Sequence, residues 1–92
     1  MMHIRSVSTY RKSYRRFSKS GRFPSQKLDA IIDALARGEK LDHSFKDHAL
    51  SGKFADCREC HIKSDLLLVY KIENNNLLLV LVNLGSHPSL FE

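Results

Sequence analysis

The chain has 92 residues, 42% of them hydrophobic, with no Trp and a net charge of +5. That length supports one domain, residues 1–92, around a single modest core, and that apolar fraction excludes a disordered chain. No apolar run precedes a small-residue cleavage site at the N-terminus, and the longest apolar runs, 66–70 and 77–82, are too short to cross a bilayer.

Eight of the fifteen Lys and Arg residues precede Asp29, which is the first acidic residue in the chain. A block of one sign on a small domain favours a polyanion or an acidic protein as partner; the alternative is a solvated helix face. Residues 2–7 (MHIRSV) predict a short strand with Met2, Ile4 and Val7 as its apolar members. Ser8 or Thr9 then caps a helix whose apolar face is Tyr10, Tyr14 and Phe17, with Arg11, Lys12, Arg15, Arg16 and Lys19 opposite and Gly21 as its stop. Those cations repel one another along the helix, so a counter-charge from RNA or a partner is expected. Pro24 suits the start of a second helix, striped by Leu28, Ile31, Ile32 and Leu35 and ended by Gly38. The short GRF link joins the two as a helical hairpin.

Residues 39–53 show no periodicity and predict a loop. From Phe54 the period becomes two, with Phe54, Cys60 and Ile62 on one face and Glu59, His61 and Lys63 on the other. Residues 65–73 predict a second strand, Asn74-Asn75-Asn76 a turn, and 77–84 a third strand buried on both sides, ended by Gly85. The tail SHPSLFE predicts a loop or single turn. The expected fold is α+β: a short N-terminal strand, a two-helix hairpin, then an antiparallel meander sheet packed on the helices.

Cys57-Arg-Glu-Cys60-His61 spells CxxCH, the attachment pattern of c-type haem, and with His43 and His48 it can be written as a zinc site. Haem attachment implies export, and no export signal is present. In a strand, residues three apart point to opposite faces, and Arg58-Glu59 offers no turn former to bring the thiols together. The two cysteines predict small, partly buried, reduced thiols in a cytoplasmic protein, with no cofactor or metal. The histidines suggest chemistry instead. RNA cleavage needs a base for the 2′-hydroxyl, an acid for the leaving 5′-oxygen, and cations for the phosphate, and imidazole titrates near neutral pH. His48, His61, Asp65 and His87 all fall on predicted loops or strand ends, where scaffolds carry reactive groups. Lys46, Lys53, Arg58 and Lys63 lie among them as phosphate contacts, and Phe91 can stack on a base or plug the core. His3 and His43 read as surface residues, and surface decoration is the competing account of all five histidines.

The run from Lys46 to Phe91 carries K-D-H-x-L-x-G, then R-x-x-H-x-x-x-D with an aliphatic strand and Y-K, then G-S-H-x-x-L-F. In that order and spacing it resembles the YafQ family of bacterial toxins, within the RelE/ParE superfamily. The resemblance implies a RelE-like fold and a ribosome-dependent endoribonuclease that cuts mRNA in the ribosomal A site. It also implies a cognate antitoxin covering the basic surface, and no membrane partner. Carried over by position, the functional residues are His48, His61, Asp65, His87 and Phe91, with Glu59 as an acid beside the site. Relatives often carry arginine where this chain has Asn83, which leaves either Arg58 or a neighbouring lysine to hold the phosphate, or a weaker enzyme. Two other classes stay open: a ParE-like toxin that acts by binding gyrase, and a small metal-binding protein using Cys57, Cys60 and His61.

Overall fold

The computed structural model describes residues 1–63, 65–86 and 90. Strand β1 (His3–Ser6) runs into helix α1 (Ser8–Ser18), and α2 (Ser25–Ala36) follows. Strands β2 (His48–Ala49), β3 (Arg58–Lys63), β4 (Leu66–Glu73) and β5 (Leu78–Gly85) complete one sheet. Its order is β1-β5-β4-β3-β2, with β1 parallel to β5 and every other neighbouring pair antiparallel. The α+β architecture and the β3–β4–β5 meander are as expected from the sequence. The N-terminal strand makes the sheet mixed, because the helical crossover returns the chain in the same direction beside β5.

The apolar stripe of α1 buries Tyr10, with Tyr14 and Phe17 half-buried beside it. The Tyr10 and Tyr14 rings stack at 6.1 Å, and Tyr14 meets Phe23 edge-on at 5.4 Å, so an aromatic ladder leads from α1 into the link before α2. The capping expectation is corrected: neither Ser8 nor Thr9 caps the helix. Val7 N–H donates to the Leu81 carbonyl, so the strand passes directly into α1, and Thr9 Oγ1 donates instead to the Val82 carbonyl at 2.7 Å. Helix α1 also stops at Ser18, ahead of Gly21. Helix α2 buries Leu28, Ile31 and Leu35, and Gly38 (φ +79°) takes the left-handed position after it.

These helical side chains pack on Cys60, Ile62, Leu68, Tyr70, Leu79, Leu81 and Leu84. Each fully buried side chain of this kind contributes about 1.5–3 kcal/mol, so this face is the main source of stability. Leu67, Val69 and Val80 alternate with these residues and are buried as well. Both faces of β4 and β5 are thus apolar, which explains the near-continuous hydrophobic runs in the sequence. Asn74, Asn75 and Asn76 all take positive φ, at 56°, 55° and 67°, and form the turn between β4 and β5. Two expectations are corrected here. Ile4 is 49% exposed, because edge strand β1 has only one partner and its outer residues face solvent. Phe54 is not in a strand; it closes a 3-10 turn at Gly52–Phe54, and Cys57 N–H donates back to its carbonyl, so β3 starts at Arg58.

The predicted loop at 39–53 also holds structure that aperiodic sequence does not reveal. A 3-10 turn at His43–Phe45 is capped by Asp42, whose Oδ1 accepts from Ser44 N–H at 2.9 Å, and β2 then adds an outer strand to the sheet. Among the described residues, no helix is long and apolar enough to cross a membrane.

Candidate functional site

The short strand β2 positions the first candidate. His48 is paired directly with Glu59 across β2 and β3, so their side chains leave the sheet on the same face. His61 lies two residues further along β3 and shares that face. The result is a carboxylate flanked by two imidazoles: Glu59 Oε1 lies 3.9 Å from His48 Nε2 and 3.6 Å from His61 Nε2. Glu59 is only 3% exposed, whereas His48 is open to solvent and His61 half-buried. His48 Nδ1 is 2.7 Å from the Lys46 carbonyl. A carbonyl oxygen only accepts, so Nδ1 carries the hydrogen and Nε2 is the nitrogen left to exchange a proton.

A second network holds the segment that presents His48. Tyr70 is buried, and its hydroxyl donates to Asp47 Oδ2 at 2.6 Å, while Arg58 Nε donates to Asp47 Oδ1 at 3.0 Å. Burial, and then the Asp47 carboxylate, push the Tyr70 hydroxyl well above its ordinary value. Asp47 lies between Lys46 and His48, so these bonds fix the backbone on both sides of it. Sequence reasoning missed this network; the sole signal was an acid next to the candidate histidine and a tyrosine at the end of an apolar run.

The remaining predicted residues fall in different places. Lys46 and Lys63 line one hollow with His61. Arg58 points to Asp47, and Lys53 lies over the Phe54 ring on the 3-10 turn, with Nζ 5.7 Å from the centroid. Asp65 is exposed in the turn after β3 and lines a separate hollow with Phe17, Phe23 and Lys63. No ion pair within 4 Å joins Asp65 to either imidazole among the described residues. His87 and Phe91 lie outside the described residues.

Asn83 is a tie between elements: its Oδ1 accepts from Ser13 Oγ and from Leu84 N–H, both at 2.8 Å, and anchors α1 to β5. Cys60 is buried in the helix-facing core, and that burial pushes its thiol up to about 12. Cys57, also buried, donates from Sγ to Asp56 Oδ1 at 3.5 Å. Cys60 and His61 are adjacent on a strand and project to opposite faces, so they cannot converge on one ion with Cys57. Among the described residues, no three His, Cys, Asp or Glu side chains are grouped to hold a metal ion.

Comparison with known proteins places the chain in a family. The profile described as bacterial toxin of type II toxin–antitoxin system, YafQ, matches residues 2–92. A metal-bound toxin from Helicobacter pylori superposes with a TM-score of 0.91 at 41% identity, covering 99% of this chain and 100% of that one. A copper-bound mutant toxin from the same organism gives a TM-score of 0.93 at 38% identity, over 99% and 100% of the two chains. YafQ in the Escherichia coli DinJ–YafQ complex gives 0.87 at 25% identity, with both chains covered in full. A candidate YafQ toxin sequence from Haemophilus influenzae is 38% identical over 45 residues, 49% of this chain and 44% of that sequence. The match thus spans under half the length of this curated relative. With the family profile running almost the whole chain and solved toxins sharing its fold from end to end, the protein belongs to the YafQ family of toxins of type II toxin–antitoxin systems.

Proposed function

We propose that the protein is a ribosome-dependent mRNA endoribonuclease that cuts by attack of a ribose 2′-hydroxyl on the adjacent phosphate. The P–O5′ bond breaks as the O2′–P bond forms, leaving a 2′,3′-cyclic phosphate and a 5′-hydroxyl. The observation that carries the reading is the pair of imidazole Nε2 atoms set against one buried carboxylate oxygen. Glu59 supplies negative charge beside whichever ring holds the proton and limits how the rings can turn. In this reading His61 or Asp65 removes the 2′-hydroxyl proton, and His87 protonates the leaving 5′-oxygen. His48 stabilises charge or shares the proton transfer through Nε2. Lys46, Lys53, Lys63 and Arg58 face the phosphates, and Phe91 stacks on a base. Arg58 is already bonded to Asp47, so its contribution is the outer edge of its guanidinium.

Metal enters none of these steps. Two Helicobacter pylori relatives were crystallised with metal, whereas among the described residues here no three donors are grouped to hold an ion. The expected protein partner is a cognate antitoxin, supported by the Escherichia coli relative's complex with DinJ and by the exposed cations of α1. The substrate is mRNA in the ribosomal A site, which makes the protein cytoplasmic.

Controlled expression tests this. Wild-type protein should arrest growth and leave codon-periodic 5′ ends in translated transcripts. His61→Ala and His87→Ala should each abolish both effects while the protein still folds and binds the antitoxin. Full toxicity in either variant removes that histidine from the mechanism; double-strand DNA damage in place of mRNA cuts would favour a gyrase-directed toxin.

A further inference from the structure

Strand β2 pairs only with Arg58 and Glu59, so among the described residues β3 has no strand partner on that edge from His61 onward. A hollow of about 470 Å³ opens at this edge, with the 3-10 turn His43–Phe45 on one side and the first turn of α2 on the other. Three lysines line it, each from a different element: Lys27 from α2, Lys46 just after the 3-10 turn, and Lys63 from the end of β3, whose Nζ donates to the Arg22 carbonyl at 3.5 Å. His61 forms part of the same wall. No carboxylate lines the hollow, and none of the three lysines makes an ion pair among the described residues.

Lys27 is held in place by Phe45, with Nζ 5.5 Å from the ring centroid. Lys46 keeps a left-handed backbone (φ 52°), which a side chain with a Cβ adopts only when the surroundings impose it. Lysines from separate elements that line one hollow repel one another until an anion joins them.

We infer that this hollow is a phosphate subsite for the RNA strand, which takes the phosphodiester next to the scissile one, with Lys27 as a phosphate-binding residue. The inference rests on the nuclease reading above, since His61 borders both positions. A nucleotide strand is favoured over an acidic peptide because the lysines line the same hollow as His61, which gives a phosphate neighbouring the reacting one a cationic place to sit. Lys27 lies thirty-four residues from His61 in sequence, on the exposed face of a helix whose other face packs on the core, so no local motif marks it.

The test is binding, not cleavage, using an uncleavable 2′-O-methyl RNA hexamer and fluorescence anisotropy across a salt series. Lys27→Gln should weaken binding about five- to tenfold and reduce the log–log salt slope by about 0.7, the value for one lost contact to a single strand. Lys40→Gln, an exposed charge outside the hollow, should change neither. An unchanged slope in Lys27→Gln, with wild-type protein binding normally, overturns the subsite and leaves the nuclease reading intact. Wild-type protein that does not bind the hexamer overturns it too, as does a Lys27→Gln variant that loses antitoxin affinity but not RNA affinity. Failure of the nuclease reading shows elsewhere, as an absence of transcript cuts from wild-type protein.

Discussion

Replacing Tyr70 with phenylalanine removes one oxygen and leaves the ring packing untouched. The lost bond, 2.6 Å to Asp47 Oδ2, is donated from a residue that is 1% exposed to an ionised acceptor. Hydrogen bonds to charged groups contribute about 1.5–3 kcal/mol. Two features reduce that here: Asp47 keeps its bond to Arg58, and its side chain is 19% exposed, so water can replace the hydroxyl. A loss of about 1–2 kcal/mol remains by the same reckoning. At about 4–8 °C per kcal/mol for a domain of this size, the melting temperature should fall by roughly 5–15 °C. Urea unfolding at neutral pH measures the change, and Asp47→Asn combined with Tyr70→Phe should show coupling of about 1 kcal/mol.

The same bond predicts a pH dependence. Burial and Asp47 raise the Tyr70 hydroxyl above its ordinary value of 10.0, so the folded state favours the protonated form. Its stabilisation is fully present below about pH 10 and is lost as pH climbs toward the folded value. Tyr70→Phe should therefore reduce the alkaline decline in stability, leaving the part due to Tyr10, Cys57 and Cys60, whose protonated forms burial also favours. Stability within about 0.3 kcal/mol of wild type, together with an unchanged alkaline slope, would refute the network.

Cys60, with its thiol pushed up to about 12 by burial, should resist a thiol reagent at pH 8 in the native protein and react fully in denaturant. Fast native labelling at Cys60 would contradict its place in the core. Leu28→Ala, at a site with 0% exposure, should cost about 2–5 kcal/mol and be visible as a large shift in the urea midpoint. Ser13→Ala removes one of the two donors to Asn83 Oδ1 and should cost about 1 kcal/mol in the same assay, with no effect on RNA binding. Cleavage by ribosome-bound wild-type protein should continue after the free protein has been treated with a strong chelator and desalted, as read by mapped transcript ends. Loss of cutting that added copper or zinc restores would overturn the metal-free mechanism.

The helices and the meander were legible because their signals are local. Apolar residues three and four apart fix α2 through Leu28, Ile31 and Leu35, and three successive asparagines fix the turn after β4. The same locality explains the misplaced start of β3. Phe54 fits the alternation of the strand, but Gly52 at φ +66° turns the chain first, and a period of two cannot detect that. Strand β2 was invisible because two residues carry no period at all.

Of the candidate site, the residue types and their motif spacing were available from sequence, including His48, Glu59 and His61. Their meeting was not, because it depends on register: one residue of slippage between β2 and β3 would send His48 to the other face. Nor could the sequence reveal that Asp47 is shared by Arg58 and Tyr70, that Asn83 is held by Ser13, or that Lys27 reaches the hollow beside His61. Propensity and periodicity act over a few residues and set the elements. Pairing between distant segments brings these charges together, and it is decided only when the whole core packs.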